Sequence, residues 1–434
     1  MEKSIIYLGV KMKKAALHNL GCKVNAYETE AMQQMLEAAG YEIVPFNEPA
    51  DVYVVNTCSV TNMADRKSRQ MLHKAKKNNP DSIVVATGCY VQTSEQEALE
   101  DLSIDIVIGN NRKHELVSLI EEFAKDNVFD INHEKQEFEE LFVSQTAEHT
   151  RAFIKVQDGC NQFCSYCIIP YARGRVRSRK LENVIEEVMR LASNGYKEVV
   201  LTGIHLSSYG VDFEDKTDLL ALIQAVNRVD GIERIRLGSL EPKIVTEEFA
   251  SALSQMPKVC PHFHLSLQSG CDATLKRMNR RYTAEEYETG CQLLRKYFKH
   301  PAITTDVIVG FPGESDEEFE ITKQFLKKIH FYEMHIFKYS KRKGTRAAVM
   351  QDQVAEQIKT GRSAELISLG NEMSDEFRMY YTGKIKDVLF EEKVEINGKS
   401  YYTGYTKEYV KVAKESEETL ENQIIEGKIT GRLT

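Results

Sequence analysis

The stretch GCNQFCSYCIIPYARGRVRSR, residues 159–179, decides how the rest of the chain is interpreted. It contains Cys160, Cys164 and Cys167 in a C-x₃-C-x₂-C pattern, with the aromatic Tyr166 between the last two. Three thiolates so close in sequence can bind one soft metal centre, because thiolates select iron–sulfur clusters, Zn or Cu(I). Structural zinc usually has four ligands, often from two cysteine pairs, and no second pair lies nearby. The pattern therefore favours a metal centre that keeps one position open for a substrate.

The C-x₃-C-x-aromatic-C motif resembles the signature of radical S-adenosylmethionine (SAM) enzymes. The longer string, residues 159–179, is similar to the methylthiotransferase branch of that superfamily. The resemblance implies that Cys160, Cys164 and Cys167 hold a [4Fe–4S] cluster, whose open iron binds the amino and carboxylate groups of SAM. One electron from the cluster would cleave SAM to a 5′-deoxyadenosyl radical, while the protein supplies position and excludes water.

Composition sets broad limits on the 434-residue chain. It is 42% hydrophobic and 28% charged, as in ordinary globular proteins, and its length suits two to four domains. Nine cysteines are too few for a disulfide scaffold and fit metal ligation in a reducing compartment. No apolar run is long enough to cross a membrane, and the apolar run near Met1 is short for a signal peptide. We expect residues 1–11 to be an upstream extension.

Three further cysteines each follow a strand in the first part of the chain. Cys22, Cys58 and Cys89 occur in LGC, NTC and TGC, and Asn25 is expected to cap a helix that runs to Ala39. Strands alternate with helices here, so we expect an open parallel α/β sheet. Because ligands bind outside the carboxyl ends of such strands, the three thiols should meet in a second metal site. The alternative is that they are small core residues, as free cysteines often are.

The strings around these cysteines resemble the N-terminal domain of methylthiotransferases. They read NLGCKVNAYETE, NTCSVTNMADRKSR and ATGCYVQ. The resemblance implies that Cys22, Cys58 and Cys89 bind a second, auxiliary [4Fe–4S] cluster. We place this domain at residues 12–128, and we expect an acidic linker between about 125 and 150.

A βα rhythm in residues 146–371 predicts a partial (β/α)₆ barrel. The predicted strands are Phe153–Val156, Glu198–Thr202, Glu233–Gly238, His262–Gln268, Ala302–Val309 and Tyr332–Tyr339. Active sites of such barrels lie at the carboxyl ends of the strands.

Candidate SAM-binding residues follow from those strand ends and from the radical SAM resemblance. They are Tyr166, Thr202, Gly203, Glu241, Gln268 and Gly310. Glycine lets the backbone approach a ligand closely, and carboxylate or amide groups can bond ribose hydroxyls or an amino group. Each of them could equally be a turn glycine or a polar group that lines the barrel. His264, on one face of a strand with His262, is expected to line the barrel rather than to bind metal.

Basic residues are concentrated in residues 61–80, 151–180 and 334–346, although the net charge is −8. Arg173, Arg175, Arg177 and Arg179 alternate, so an extended chain would place them on one face and allow phosphate contact. A basic run can also be a plain solvated surface. We interpret the pattern as a nucleic-acid contact.

The last part of the chain, residues 372–434, changes to a β pattern. Predicted strands and the turn Asn397-Gly398 indicate a small β-barrel, and the segment resembles the RNA-binding TRAM domain of methylthiotransferases. Six tyrosines are dense here and could stack on RNA bases or form the core: Tyr380, Tyr381, Tyr401, Tyr402, Tyr405 and Tyr409.

The family resemblance implies addition of a methylthio group to an unactivated carbon, with two [4Fe–4S] clusters and SAM as cofactors. LGCKVNAYETE most resembles the MtaB-type subfamily, which acts on N6-threonylcarbamoyladenosine next to the tRNA anticodon. Alternatives are N6-isopentenyladenosine in tRNA, a ribosomal-protein aspartate, or a non-catalytic iron–sulfur RNA-binding protein. We expect a cytoplasmic monomer that binds the tRNA anticodon stem-loop, with an electron donor such as flavodoxin or ferredoxin and no membrane.

Overall fold

The computed structural model describes residues 12–122, 129–130, 137–144 and 150–431. The predicted extension at residues 1–11 and most of the predicted linker lie outside these residues. The chain forms two compact units, the first Met1–Leu141 with Tyr171–Arg173 and the second Phe142–Pro170 with Gly174–Thr434. The division into three domains stays a prediction.

The first unit is built on a six-stranded parallel sheet in the order β2-β1-β3-β4-β5-β6. Its strands are β1 (Lys14–Asn19), β2 (Glu42–Ile43), β3 (Val52–Thr57), β4 (Ile83–Gly88), β5 (Ile106–Ile108) and β6 (Phe129–Asp130). Its helices are α1 (Lys23–Ala38), α2 (Asn62–Asn78), α3 (Cys89–Thr93), α4 (Glu95–Leu99) and α5 (Leu116–Glu122). All of β3 is buried because apolar clusters cover both faces of the sheet. The predicted open parallel α/β sheet is confirmed.

The second unit contains the predicted partial barrel. Its strands are β7 (Arg151–Asp158), β8 (Arg177–Ser178), β9 (Glu198–Gly203), β10 (Arg234–Leu237), β11 (His262–His264), β12 (Ala302–Val309) and β13 (Glu333–Lys338). Helices in this part are α7 (Leu181–Ser193), α8 (Leu219–Asn227), α9 (Glu247–Ser254), α10 (Asp272–Arg277), α11 (Ala284–Tyr297) and α12 (Asp316–Ile329). The short helix α6 (Ile169–Arg173) begins in the second unit, and its last three residues belong to the first. Parallel bridges from Ile235 to Val259 and from Leu240 to Leu265 join the β7-β9-β10 group to the β11-β12-β13 group. Six parallel strands with helices between them confirm the (β/α)₆ prediction.

The chain ends in helix α13 (Glu356–Tyr381) and a four-stranded antiparallel half-barrel. Its strands are β14 (Ile385–Ile396), β15 (Lys399–Thr406), β16 (Lys411–Glu415) and β17 (Ile424–Lys428). Asn397 and Gly398 both have positive φ, at 52° and 75°, which suits the predicted hairpin turn between β14 and β15. Among the described helices, none combines the length and the apolar character needed to span a bilayer.

The half-barrel packs against the amino ends of the barrel strands. Arg236, on β10, bonds Glu198 at 2.8 Å and donates to the Lys407 carbonyl at 3.1 Å. His262, at the start of β11, stacks on Tyr409 with ring centroids 4.7 Å apart. The carboxyl ends of the strands, where ligands bind in such barrels, are therefore at the opposite end of this unit.

Candidate metal centres

The cysteines of the opening motif lie in a tight loop directly after β7. Gly159 has φ +71°, and a Cβ there would lie 1.9 Å from the Arg175 carbonyl oxygen, so only glycine fits. The backbone N–H of Cys160 donates to the Gly174 carbonyl at 3.0 Å, and that of Cys167 donates to the Cys164 carbonyl at 3.0 Å. The loop thus holds its three thiols at the carboxyl end of the first barrel strand.

Hydrogen-bond donors face two of these thiols. Arg280 places Nη1 3.2 Å from the Cys164 sulfur, and the Gln162 backbone N–H lies 3.5 Å from the Cys160 sulfur. Donors and a cation around sulfur stabilise its thiolate form, which is the form that binds metal. Arg280 lies 113 positions after Cys167 and no local pattern marks it, so the sequence alone does not reveal this contact.

Glu241 is the predicted SAM contact that the structure links most directly to the cysteine loop. It lies 3.2 Å from Arg280 and 3.3 Å from the Gln162 side-chain amide. Burial disfavours its charge, but the hydrogen bond from His205 and the charge of Arg280 outweigh burial and lower the pKa of Glu241. An ionised carboxylate beside the loop can bind an amino or hydroxyl group.

Four of the remaining predicted SAM contacts lie at or just after strand ends, and Tyr166 lies in the cysteine loop. Thr202 and Gly203 end β9, and Gly310 follows β12 with φ +70°. Gln268 has φ +71° and bridges to Val307 of β12. The ring of Tyr166 packs edge-on against Phe311, with centroids 6.3 Å apart, and burial raises its pKa. Their contact with SAM stays a prediction.

The first unit brings the other three cysteines together at the carboxyl ends of β1, β3 and β4. Cys22 caps α1, Cys58 follows β3, and Cys89 begins α3. Gly21 approaches Cys58 so closely that an added Cβ would lie 2.9 Å from the Cys58 sulfur. Burial, together with the negative charges of Cys89 and Cys22, raises the pKa of Cys58 to about 11. The three thiols therefore share one crevice.

Asn25 ties the loops of this crevice together. Its side-chain amide donates to the Leu20 carbonyl at 2.8 Å and to the Thr57 carbonyl at 3.0 Å. Its Oδ1 accepts from Arg173 at 2.7 Å and lies 3.6 Å from the Cys22 sulfur. The prediction that Asn25 caps the helix is wrong, because α1 begins at Lys23 and the side chain bonds instead to backbone of neighbouring strands.

A fully buried ionic network lies beside the same thiols. Arg173 bonds both carboxylate oxygens of Glu28, at 2.8 and 3.1 Å, and Lys113 lies 3.4 Å from Glu28. Burial raises the pKa of Cys89, and the positive charge of Arg173 opposes that rise. The network gives the crevice buried positive charge next to sulfur, which suits an anionic metal–thiolate centre.

The alternating arginines do not form the predicted nucleic-acid face. Arg173 ends a helix and is buried, Arg177 pairs with Asp158, and Arg179 pairs with buried Glu187. The prediction assumed one extended strand, but only residues 177–178 are in a strand. Of the four arginines only Arg175 is exposed, and its guanidinium lies 4.6 Å from the Phe163 ring centroid.

Of the two roles considered for the six tyrosines at the end of α13 and in the half-barrel, the structural role accounts for most. Tyr381 and Tyr402 are core residues, and Tyr405 and Tyr409 stack on each other with Arg151 over both rings. Tyr380 is 37% exposed, but its ring stacks on His300 with centroids 3.6 Å apart. Most of these rings therefore fill the core or the contact with the barrel.

Both triads fit a multinuclear cluster better than a single ion. A zinc ion would hold its thiolates about 3.8 Å apart, since Zn–S is about 2.3 Å in tetrahedral geometry. Among the described residues, the metal-binding side chains that lie within 4.8 Å of one another in a group of three are His264, Asp306 and His335, without a cysteine. In each triad at least one pair of thiols therefore lies farther apart than 4.8 Å, which suits a cluster in which each thiolate binds a different iron.

The pKa values of the thiols do not distinguish the cysteines of the triads from the other cysteines. Burial raises the pKa of Cys160 to about 11 and that of Cys167 to about 12. The same cause raises Cys260 to a pKa of about 11 and Cys291 to a pKa of about 12. What distinguishes the triads is their position at strand ends and their mutual proximity.

Comparison with known proteins agrees with this architecture. Residues 154–326 match the Radical SAM superfamily, and residues 14–109 match Uncharacterized protein family UPF0004. The radical S-adenosylmethionine methyltransferase TsrM from Kitasatospora setae, solved with cobalamin and a [4Fe-4S] cluster, has a similar fold. The TM-score is 0.58 at 16% identity, over 78% of this chain and 74% of TsrM. Fold and motif together define a radical SAM protein.

Proteins similar in sequence show to which family of radical SAM proteins the chain belongs. The chain is 42% identical to threonylcarbamoyladenosine tRNA methylthiotransferase MtaB of Bacillus subtilis (strain 168), over 96% of this chain and 94% of that protein. It is 36% identical to tRNA-2-methylthio-N(6)-dimethylallyladenosine synthase of Pelotomaculum thermopropionicum, over 97% of this chain and 96% of that protein. The chain belongs to the radical SAM methylthiotransferase family.

Proposed function

We propose that this protein adds a methylthio group to C2 of N6-threonylcarbamoyladenosine next to the anticodon of tRNA. The product is 2-methylthio-N6-threonylcarbamoyladenosine. The observation that carries the proposal is the 42% identity with the Bacillus subtilis MtaB over nearly the whole of both chains. Identity with the dimethylallyladenosine synthases is lower, at 36% to 37%.

The six strand-end cysteines would hold two [4Fe–4S] clusters, one in each unit. When bound with SAM, the cluster held by Cys160, Cys164 and Cys167 supplies radical chemistry that can open an unactivated purine C–H bond. Cys22, Cys58 and Cys89 would hold the auxiliary cluster, at which the sulfur of the methylthio group is carried.

The surrounding residues have supporting roles in this proposal. Arg280 donates to the Cys164 sulfur and stabilises thiolate charge, and it also holds Glu241 beside the loop. Glu241, Thr202, Gln268 and the backbone at Gly203 and Gly310 would orient SAM. Tyr166 would shield the loop from water, since it is packed against Phe311.

The partners follow from the proposed reaction. The substrate is the anticodon stem-loop of tRNA, and an electron donor such as flavodoxin or ferredoxin reduces the SAM-binding cluster. The exposed Arg175 is a candidate for RNA contact by charge. We propose that the enzyme acts as a monomer in the cytoplasm, and that the half-barrel is a TRAM-like RNA-binding domain.

Purified, cluster-loaded protein tests the reaction directly. It is incubated with SAM, a chemical reductant and anticodon stem-loops that carry threonylcarbamoyladenosine, isopentenyladenosine or plain adenosine, and the nucleosides are analysed by mass spectrometry. We expect methylthio product from the threonylcarbamoyl substrate and none from the Cys89→Ala variant. Product from the isopentenyl substrate alone would refute the substrate assignment. SAM cleavage without any RNA product would refute the proposed tRNA methylthiolation.

A further inference from the structure

A polar group of three side chains lies on three neighbouring strands of the barrel. His264, Asp306 and His335 come from the adjacent parallel strands β11, β12 and β13, and Asp306 and His335 are directly paired. Their ligand atoms all lie within 4.8 Å of one another. Ile303 and Val307 alternate with Asp306 along β12 and belong to the apolar core under the helices. The three polar side chains therefore face the inside of the barrel.

The distances suit two neighbouring ligands of one metal ion. His264 Nε2 lies 3.3 Å from Asp306 Oδ2. Bonds of about 2.0–2.1 Å to one tetrahedral ion separate two ligand atoms by about 3.4 Å. The ring nitrogen Nδ1 of His264 lies 3.0 Å from the Thr304 hydroxyl. A hydrogen bond at Nδ1 fixes the orientation of a metal-binding imidazole and leaves Nε2 free to bind the ion.

The group also leaves room for a further ligand. The side chains of His264 and Asp306 are 14% and 30% exposed, and His335 is exposed. Three protein ligands with open positions are typical of metal sites that bind substrate rather than of structural sites. Two imidazoles and one carboxylate suit Zn²⁺ and Fe²⁺. From sequence alone His264 was expected to line the barrel, since Asp306 and His335 are distant in the chain.

We propose that His264, Asp306 and His335 bind one divalent transition-metal ion, whose open positions bind oxygen atoms of the substrate's threonylcarbamoyl group. This step rests on the proposed function. The threonyl part carries a carboxylate and a hydroxyl group, and both are metal ligands. An isopentenyl group has no such oxygen atoms. The ion would thus help the enzyme to distinguish its substrate from the isopentenyl nucleoside, and it would offset the repulsion between Asp306 and the substrate carboxylate.

The metal is tested with Zn²⁺ as the probe, on cluster-loaded protein that is dialysed and then analysed for zinc and iron. His335→Asn removes one ligand, and His330→Asn is the matched control, since His330 is exposed and pairs with Glu376 at the end of α12. We expect wild type and His330→Asn to bind one more zinc per chain than His335→Asn, with equal iron in all three. Equal zinc in all three proteins would overturn the metal site, and His264–Asp306 would then be an ordinary ion pair.

The substrate part is tested by equilibrium binding, without catalysis. The same proteins are titrated, with and without Zn²⁺, with stem-loops that carry threonylcarbamoyladenosine or plain adenosine. We expect Zn²⁺ to increase the preference for the threonylcarbamoyl stem-loop at least about tenfold in wild type and His330→Asn, but not in His335→Asn. An unchanged preference would overturn the substrate part. Neither binding result depends on methylthiolation, so a failure here is separate from a failure of the proposed reaction.

Discussion

Glu28→Gln should destabilise the first unit strongly. The Glu28 carboxylate contacts Arg173 at 2.8 Å and Lys113 at 3.4 Å, and all three side chains are 0% exposed. Glutamine keeps the shape but removes the anion that both cations contact. Breaking a buried ion pair in this way costs about 3–5 kcal/mol of unfolding free energy. For a unit of this size the unfolding midpoint would fall by roughly 10–20 °C.

Scanning calorimetry of the cluster-loaded protein measures the midpoint, and hydrogen exchange along α1 assigns the change to the first unit. The double variant Glu28→Gln/Arg173→Gln is the control, because it removes one charge of each sign and keeps Lys113. We expect the double variant to be more stable than the sum of the single changes predicts, by about 2 kcal/mol. A midpoint for Glu28→Gln within about 2 °C of wild type would refute the reasoning, since an uncompensated buried cation cannot cost so little.

Three further predictions follow from single contacts. Arg280→Met removes the guanidinium 3.2 Å from a loop thiol and should make the reduction potential of that cluster more negative in an EPR titration, whereas the exposed Arg281→Met should not. The hydrogen bond to Glu139 raises the pKa of His114 above 6.5, so its stabilisation is full below pH 6.5 and is lost as pH rises through the folded pKa. Thermal melts of His114→Gln should therefore differ from wild type at pH 6 and converge at high pH; a constant difference contradicts this. Gly159→Ala should halve the iron content, because its Cβ meets a backbone oxygen at 1.9 Å; full iron content would show that the loop tolerates the side chain.

The hydrophobic pattern of the chain predicted the sheet of the first unit and the barrel of the second, but not helix α13, which ends where a β pattern was expected. Buried strands that end in NTC and TGC predicted that Cys58 and Cys89 lie at neighbouring strand ends, because parallel strands carry their carboxyl ends to one edge. The regular alternation of strands and helices predicted the barrel in the same way. These inferences depend only on local periodicity, which a single sequence contains.

The residues around the thiols could not be predicted in this way. Arg173 was assigned to an extended basic strand, yet its guanidinium reaches Glu28, 145 positions earlier in the chain. Arg280 reaches Cys164 across 116 positions, and neither contact leaves a local pattern. His335 joins His264 only because their strands flank β12. Such long-range pairs depend on the tertiary fold, so a single sequence does not reveal them.

The central claim is methylthiolation of threonylcarbamoyladenosine in tRNA, and the most direct measurement is mass spectrometry of tRNA nucleosides from cells with and without this gene. We expect 2-methylthio-N6-threonylcarbamoyladenosine to disappear without the gene and the unthiolated nucleoside to accumulate. The wild-type gene should restore the product, and a copy with Cys167→Ala should not. If the nucleoside profile is the same with and without the gene, or if only the isopentenyl methylthio nucleoside is lost, the account is contradicted.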